Sequence, residues 1–304
     1  MLRNVRHTDC GIQVSRMSPK YIIVTPVRDE EKFVELTIRS VIDQTVQPIE
    51  WVIVDDGSTD ATGQILDRYA SETPWIHIIH RSDRGFRKSG GGVVEAFYDG
   101  YRASRSTDWD FVVKLDGDLT FEADYFEKIF EYFEKQPRLG IAGGTICNTV
   151  DGIVTVEECP RFHVRGATKI YRRECWAAIE GLHVAPGWDT IDEVKANMLG
   201  WRTETFPELQ LLQHRATGKA EGWWRDRVKN GRAYYICGYH PIFFAAKFFY
   251  RLAARPYIVG ATAMCYGFLS GYLGAATRIK DPNLIKYLRQ EQMNRLFGKE
   301  SIWK

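Results

Sequence analysis

Two carboxylates one residue apart, Asp116 and Asp118, follow directly on the apolar run Phe111–Leu115. The run is short, β-branched and bounded by turn residues, which marks a buried strand. The carboxylates therefore fall at a strand's carboxyl end, the edge where open α/β sheets bind ligands. Two close carboxylates repel, and a hard divalent cation relieves that repulsion. The chemistry on offer is a Mg²⁺ or Mn²⁺ site holding a diphosphate. The plainer alternative is that Asp116 caps the turn and Asp118 is solvated, because a lone DxD spacing is a weak signal. Gly117 between them is expected to let the backbone turn tightly and come close to a ligand.

Two further stretches carry charge in suggestive places. Asp55 and Asp56 end the apolar run Ile49–Val54, and Ser58, Thr59 and Asp60 after them are good N-cap residues for a helix over 61–71. Capping explains those three residues without a ligand, but not two adjacent acids at a sheet edge. The turn Arg81–Gly92 brings Arg84, Arg87 and Lys88 beside a predicted helix start, a combination that suits a diphosphate or simply a mobile basic loop.

These residues need elements to position them. Tyr21–Val27 is a first strand, followed by a helix with Val34, Ile38, Val41 and Ile42 on one face. Strand and helix alternate three times before the Phe111–Leu115 strand. That pattern predicts a parallel sheet covered by helices with right-handed crossovers. A strong amphipathic helix over 123–136 follows, with Phe126, Ile129, Phe130 and Phe133 on one face. Leu139–Cys147 is a strand with a bend at Gly143-Gly144, Ile153–Glu157 an edge hairpin, and a helix opens near Thr190.

The 304 residues suffice for one large domain or two small ones. A net charge of +2 argues against a nucleic-acid binder. Six scattered cysteines without a CxxC pair argue against a zinc site or a disulfide framework and favour a reducing compartment. The first 19 residues contain no apolar core of signal-peptide length and are expected to be a flexible lead-in.

Thr25–Glu30 (TPVRDE), Val54–Asp60 (VDDGSTD), Leu115–Asp118 (LDGD) and Gly187–Asp192 (GWDTID), in that order, resemble a family 2 inverting glycosyltransferase of GT-A fold. The resemblance covers about Tyr21–Trp224. It implies an α/β fold with a mixed, mostly parallel, Rossmann-like sheet flanked by helices over 20–225, and a C-terminal helical extension over 226–304. It also implies that Pro26, Arg28 and Glu30 line a nucleoside and that Asp56 (or Asp55) accepts a hydrogen bond from the base; Lys88 is a diphosphate candidate on the chemistry of its turn, where three glycines depart from the asparagine-bearing family version. Asp116 and Asp118 match the family's metal-binding acids, with His214 as a candidate third ligand. A catalytic base is implied at the start of a helix. Asp189 and Asp192 both qualify, and Asp189 is favoured by its separation from Gly200. Trp188 stands where the family carries an acid.

The activity so implied is transfer of a hexose from a nucleotide-diphosphate sugar to a glycan or a lipid-linked saccharide. A polyprenyl-phosphate sugar transferase and a silent nucleotide-sugar-binding scaffold are the alternatives. The family's processive polymerases carry QxxRW where this chain has Glu221–Arg227 (EGWWRDR), which favours single additions. The uncharged stretch Pro256–Thr277 has the length of a membrane span, but it is rich in Gly, Ala, Ser and Thr and includes a small-xxx-small pair, Gly267 and Gly271. It is read as spanning, as lying on the membrane, or as buried in a homo-oligomer. Peripheral attachment to the inner face of the cytoplasmic membrane, with Phe243–Phe249 in the interface, is preferred.

Overall fold

The computed structural model describes residues 18–83, 85, 91–150, 153–215, 222–253, 257–274 and 277–303. In chain order β1 (Tyr21–Val27) leads to α1 (Val34–Ile42), β2 (Glu50–Asp55) to α2 (Thr62–Glu72), and β3 (Ile76–His80) to α3 (Gly91–Ala103), before β4 (Phe111–Leu115). β1 pairs in parallel with β2 and β4, and β2 with β3, as the alternation predicts. The two faces of this layer are both covered. Ile23 and Val113 point into one core with Phe126 and Phe130, while their neighbours Ile22 and Val112 point into the other with Phe97 and Trp176. That is the period-2 consequence of a strand buried on both sides.

Beyond β4 the chain adds β5 (Leu119–Phe121), α4 (Tyr125–Lys135), β6 (Leu139–Val150), β7 (Ile153–Val156), β8 (Thr168–Arg172), α5 (Arg173–Ile179), α6 (Trp188–Met198) and β9 (Arg202–Gln213). Among the described residues the strands form one mixed sheet of order β3-β2-β1-β4-β8-β6-β9-β5, with β7 on β6. β8 is antiparallel to β4, which places the segment before β8 beside the Asp116–Asp118 turn. The register of β6 against β9 shifts at Gly144/Thr145, where a glycine bend was expected.

The three expected capping residues divide between two uses. Asp60 closes the start of α2, its Oδ1 accepting from the Thr62 N–H (3.0 Å). Ser58 and Thr59 instead tie the loop after β1 to the loop after β2: Ser58 Oγ accepts from the Asp29 N–H (3.0 Å), and the Thr59 N–H donates to Asp29 Oδ1 (2.9 Å).

Four helices end the chain: α7 (Trp223–Ile236), α8 (Pro241–Leu252), α9 (Val259–Leu273) and α10 (Pro282–Leu296). Their core, with Met264, Phe268, Leu284 and Leu288, also takes in Ile191 and Val194 of α6. The extension is therefore packed onto the helix that carries Asp189. α9 has 15 residues, and at ~1.5 Å each it spans roughly 22 Å, short of the ~30 Å hydrocarbon layer. No described helix is long and apolar enough to cross a membrane. The small-residue spacing has an internal use. A Cβ on Gly267 would lie 2.0 Å from the Val228 carbonyl oxygen, one on Gly231 would lie 1.9 Å from that of Met264, and one on Gly271 would enter the Tyr235 ring. Glycines let α7 and α9 approach backbone to backbone.

Candidate active site

The glycine of the loop after β4 has a packing role that the sequence did not reveal. Gly117 is buried, and a Cβ there would stand 2.5 Å from Val27 Cγ1. The close approach seen here is to β1. It presses the turn onto the end of β1 and fixes both carboxylates relative to the loop Arg28–Glu30. Gly117→Ala should therefore cost about 1–3 kcal/mol by overpacking, measurable by urea unfolding.

The two carboxylates have different surroundings. Asp116 is half-exposed, and its Oδ1 accepts from Lys114 Nζ, a lysine buried within β4 that also donates to the Gly166 carbonyl (2.5 Å). Asp118 is 5% exposed. Its Oδ2 accepts from Gln213 Nε2 (3.2 Å), while Oδ1 is buried with no hydrogen-bond partner among the described residues. Burial, with the Asp116 charge adding, pushes the Asp118 carboxyl up to about 6. A buried carboxylate oxygen lacking a donor, next to a second carboxylate, is the arrangement a bound cation satisfies.

His214 does not complete a protein cage around that position. Its Nε2 is engaged with Thr120 Oγ1 (3.0 Å), and its ring stacks on Phe33 at 5.8 Å. Among the described residues no three His, Cys, Asp or Glu side chains gather as a metal cluster. A cation here would draw its remaining ligands from a phosphate or water, the usual habit of Mg²⁺.

At the ends of β1 and β2, Asp55 is buried and committed: Oδ1 accepts from the Ser58 N–H (2.8 Å), and Oδ2 pairs with His80 Nδ1 (2.9 Å). Asp56 is half-exposed, with Oδ1 on Arg81 Nη1 (2.7 Å). Arg28 donates from Nη1 to the Asp56 carbonyl (3.0 Å) and from Nη2 to Asp83 (2.6 Å). Glu30 pairs with Arg215 Nη2 (2.8 Å), and Pro26 lies half-buried opposite Val54. A Cβ on Gly57, at φ 74°, would strike the Asp83 backbone at 2.6 Å, so the β2 and β3 ends are closely packed here. Lys88, Arg84 and Arg87 lie outside the described residues.

α6 brings the fourth group. Its first boundary residue is Gly187, so Asp189 is not the cap but sits within the first turn, where the helix dipole favours an anion. Among the described residues no neighbouring side chain hydrogen-bonds its carboxylate, and it is half-exposed. Burial alone would raise its pKa, but His163, Lys169 and Arg165 hold it below the ordinary carboxylate value. Asp192, one turn on, is 2% exposed. Its oxygens accept from Lys169 Nζ (2.9 Å each), Tyr171 Oη (2.6 Å) and the Glu193 N–H (2.7 Å). Asp192 is sealed and saturated, whereas Asp189 is open, which separates the two candidates for the base.

Contacts show that these groups share one edge. The Asp116 N–H donates to the Ala167 carbonyl (2.8 Å), and a Cβ on the adjoining Gly166 would lie 3.4 Å from Asp189 Cβ. The His214 N–H donates to the Asp118 carbonyl (2.9 Å), and Arg215 reaches both the Asp29 carbonyl and Glu30. Trp188, which stands where an acid was expected, has Lys114 Nζ and Lys169 Nζ each 5.5 Å from its ring. Sequence reading passed over Lys114, Lys169, Arg81 and Arg215. For Lys114 the signal was available: a lone lysine inside an apolar strand.

A mixed, mostly parallel sheet with acids gathered at the carboxyl ends of β1, β2 and β4 is a GT-A-like fold. It resembles the structure of the mannosyltransferase PcManGT from Pyrobaculum calidifontis in complex with GDP-Man and Mn²⁺, with a TM-score of 0.55 at 17% identity over 94% of this chain and 77% of that one. The profile of Glycosyl transferase family 2 matches residues 22–155, so this segment is similar to the family 2 glycosyltransferases. Asp189 lies beyond the matched segment. The uncharacterized glycosyltransferase EpsJ of Bacillus subtilis is 34% identical over 127 residues, 42% of this chain and 34% of EpsJ. The undecaprenyl-phosphate mannosyltransferase of Micrococcus luteus is 26% identical over 112 residues, 37% of this chain and 43% of that one. The chain spans less than half the length of these curated relatives.

Proposed function

We propose that the protein is an inverting transferase that moves a hexose from a nucleotide-diphosphate sugar to a glycan or lipid-linked saccharide, one residue at a time. The observation that carries the reading is the partnerless buried oxygen of Asp118 beside Asp116, on the same edge as the open carboxylate of Asp189. Pro26, Arg28, Glu30 and Asp56 border the nucleoside, with Asp55 bracing the loop from beneath. Asp118 and Asp116 would hold Mg²⁺ or Mn²⁺, whose chemistry when bound is to neutralise charge on the departing diphosphate. Asp189 takes the proton from the acceptor hydroxyl as that oxygen bonds to the anomeric carbon and the bond to the diphosphate breaks. Attack from the face opposite the leaving group inverts the configuration, and holding donor and acceptor in line supplies much of the acceleration.

The named specificity of the Micrococcus luteus relative supports a second acceptor class, a polyprenyl phosphate. Either lipid acceptor is presented at a membrane surface, which fits peripheral placement on the cytoplasmic face.

The test uses the full chain with a panel of nucleotide sugars, reading thermal stabilisation and nucleoside-diphosphate release with and without Mn²⁺. Stabilisation follows ligand concentration over Kd. Donor and Mn²⁺ together should raise the Tm and support turnover, and Asp118→Asn should lose the Mn²⁺-dependent part of both. A metal-independent donor response, unchanged in Asp118→Asn, would overturn the assignment. Stabilisation without diphosphate release across acceptors would point to a binding scaffold.

A further inference from the structure

The C-terminal helices carry a surface that the transfer reaction does not use. Residues 222–304 hold 14 Lys and Arg against 4 Asp and Glu, a formal +10, whereas residues 1–221 hold 27 against 35, a formal −8. The near-neutral total hides a strongly divided molecule. On the basic part, the side of α9 that turns away from α7 leaves Tyr266, Leu269 and Leu273 exposed, Leu273 by 91%. The end of α8 leaves Phe249 and Tyr250 exposed, and the turn leading into α9 presents Ile258, held at φ 59°. Soluble surfaces scatter large apolar residues singly, so a group of this kind marks an interaction site.

The cations of these helices divide. Arg278 stacks on Tyr235 of α7 (4.4 Å) and Tyr272 of α9 (4.7 Å), and Lys247 lies over Tyr234 of α7 (4.4 Å), both on the α7 side. Arg251 is half-exposed one residue beyond Tyr250. Exposed apolar tips and tyrosines on a strongly basic extension match the layering of a bilayer surface, with hydrocarbon innermost, aromatic rings at headgroup level and anionic headgroups outside. A second copy of the chain is a poorer occupant, because a two-fold contact brings the same patch to itself and would set +10 against +10. The acidic remainder is repelled by an anionic surface, which fixes which side faces the lipid.

We propose that the exposed rim of α8 and α9 docks on the surface of an anionic lipid bilayer, inserting Phe249, Ile258 and Leu273 without spanning it. This surface stands independently of the transferase reading, so either can fail alone.

The full chain is sedimented with vesicles of phosphatidylcholine and with vesicles of phosphatidylcholine plus phosphatidylglycerol. Binding to the mixed vesicles, weakened at ~1 M salt where the Debye length falls to ~3 Å, is the expected result. Phe249→Glu/Leu273→Glu should lower the partition by roughly tenfold or more, given the transfer energy of large apolar side chains. Both positions are exposed, so the Tm of the variant should match that of the parent. Three outcomes overturn the proposal: a chain that stays in the supernatant with mixed vesicles, equal binding to both vesicle types, or a dimer in sedimentation velocity that the double variant dissociates.

Discussion

Asp189→Asn should lower turnover by roughly 10²–10⁴-fold, the contribution of a positioned general base, with a modest loss of stability because the folded chain favours the ionised form. The two halves of that expectation have different origins. The carboxylate is half-exposed and bonded to no neighbouring side chain, so an isosteric amide leaves nothing unpaired. What is lost is the ability to take a proton. The ionised form is assured at neutral pH, because His163, Lys169 and Arg165 overcome the effect of burial and hold the acid below its ordinary value. With Mn²⁺ saturating, so that Asp118 does not titrate in this range, the kcat/KM profile should therefore stay flat through pH 6, with its acid limb at lower pH. If Asp192 were the base, the limb would fall near its own value, which burial pushes up to about 6 with Glu193 adding. Turnover of Asp189→Asn close to that of the parent would remove Asp189 from the chemistry.

The parts of this site that were legible in the sequence are those where an apolar run stops at an acid. Tyr21–Val27, Glu50–Asp55 and Phe111–Leu115 each announce a strand by β-branched residues, and each ends where polar residues begin. The sheet order around them follows from the intervening helices. β8 and β9 were not legible for a physical reason. β8 contains Lys169, fully buried yet charged, which breaks the apolar pattern until its partners are known. β9 contains Pro207 and Glu208 at the point where its pairing with β6 skips from Phe206 to Gln210, so no clean alternation survives. Gly117 could be seen to matter, but its neighbour, Val27, is 90 positions away and appears only in the fold. The glycines of α9 suited a helix partner equally well in a membrane or in the protein, and only the seat of α7 against them decided it.

Lys169→Met should cost about 3–5 kcal/mol of stability, the usual consequence of removing one partner from a buried ion pair. Lys169 Nζ lies 2.9 Å from both oxygens of Asp192 and 2.7 Å from Glu193 Oε1, and all three side chains are fully buried. Burial alone would lower the lysine, but Asp192, Glu193 and Asp189 hold it above its ordinary value, so it remains an ammonium. Glu193 also accepts from the Val164 N–H (2.7 Å) and pairs with His163 Nδ1 (2.8 Å), which stitches the segment before β8 to α6. Without the ammonium, Asp192, already pushed up to about 6 by burial, binds its proton more tightly in the folded chain than in the unfolded one. The folded state then holds more protons, so the variant should gain stability as pH falls, and its deficit should shrink toward pH 5. A second change, Lys169→Met/Asp192→Asn, should recover part of the loss, with a coupling of roughly 0.5–3 kcal/mol. Urea unfolding at pH 5 and pH 8 measures all of this, and a loss under about 1 kcal/mol at pH 8 would contradict it. The same ammonium donates to the Asp189 carbonyl at 2.6 Å, so the stability of this buried cluster and the placement of the base depend on one residue.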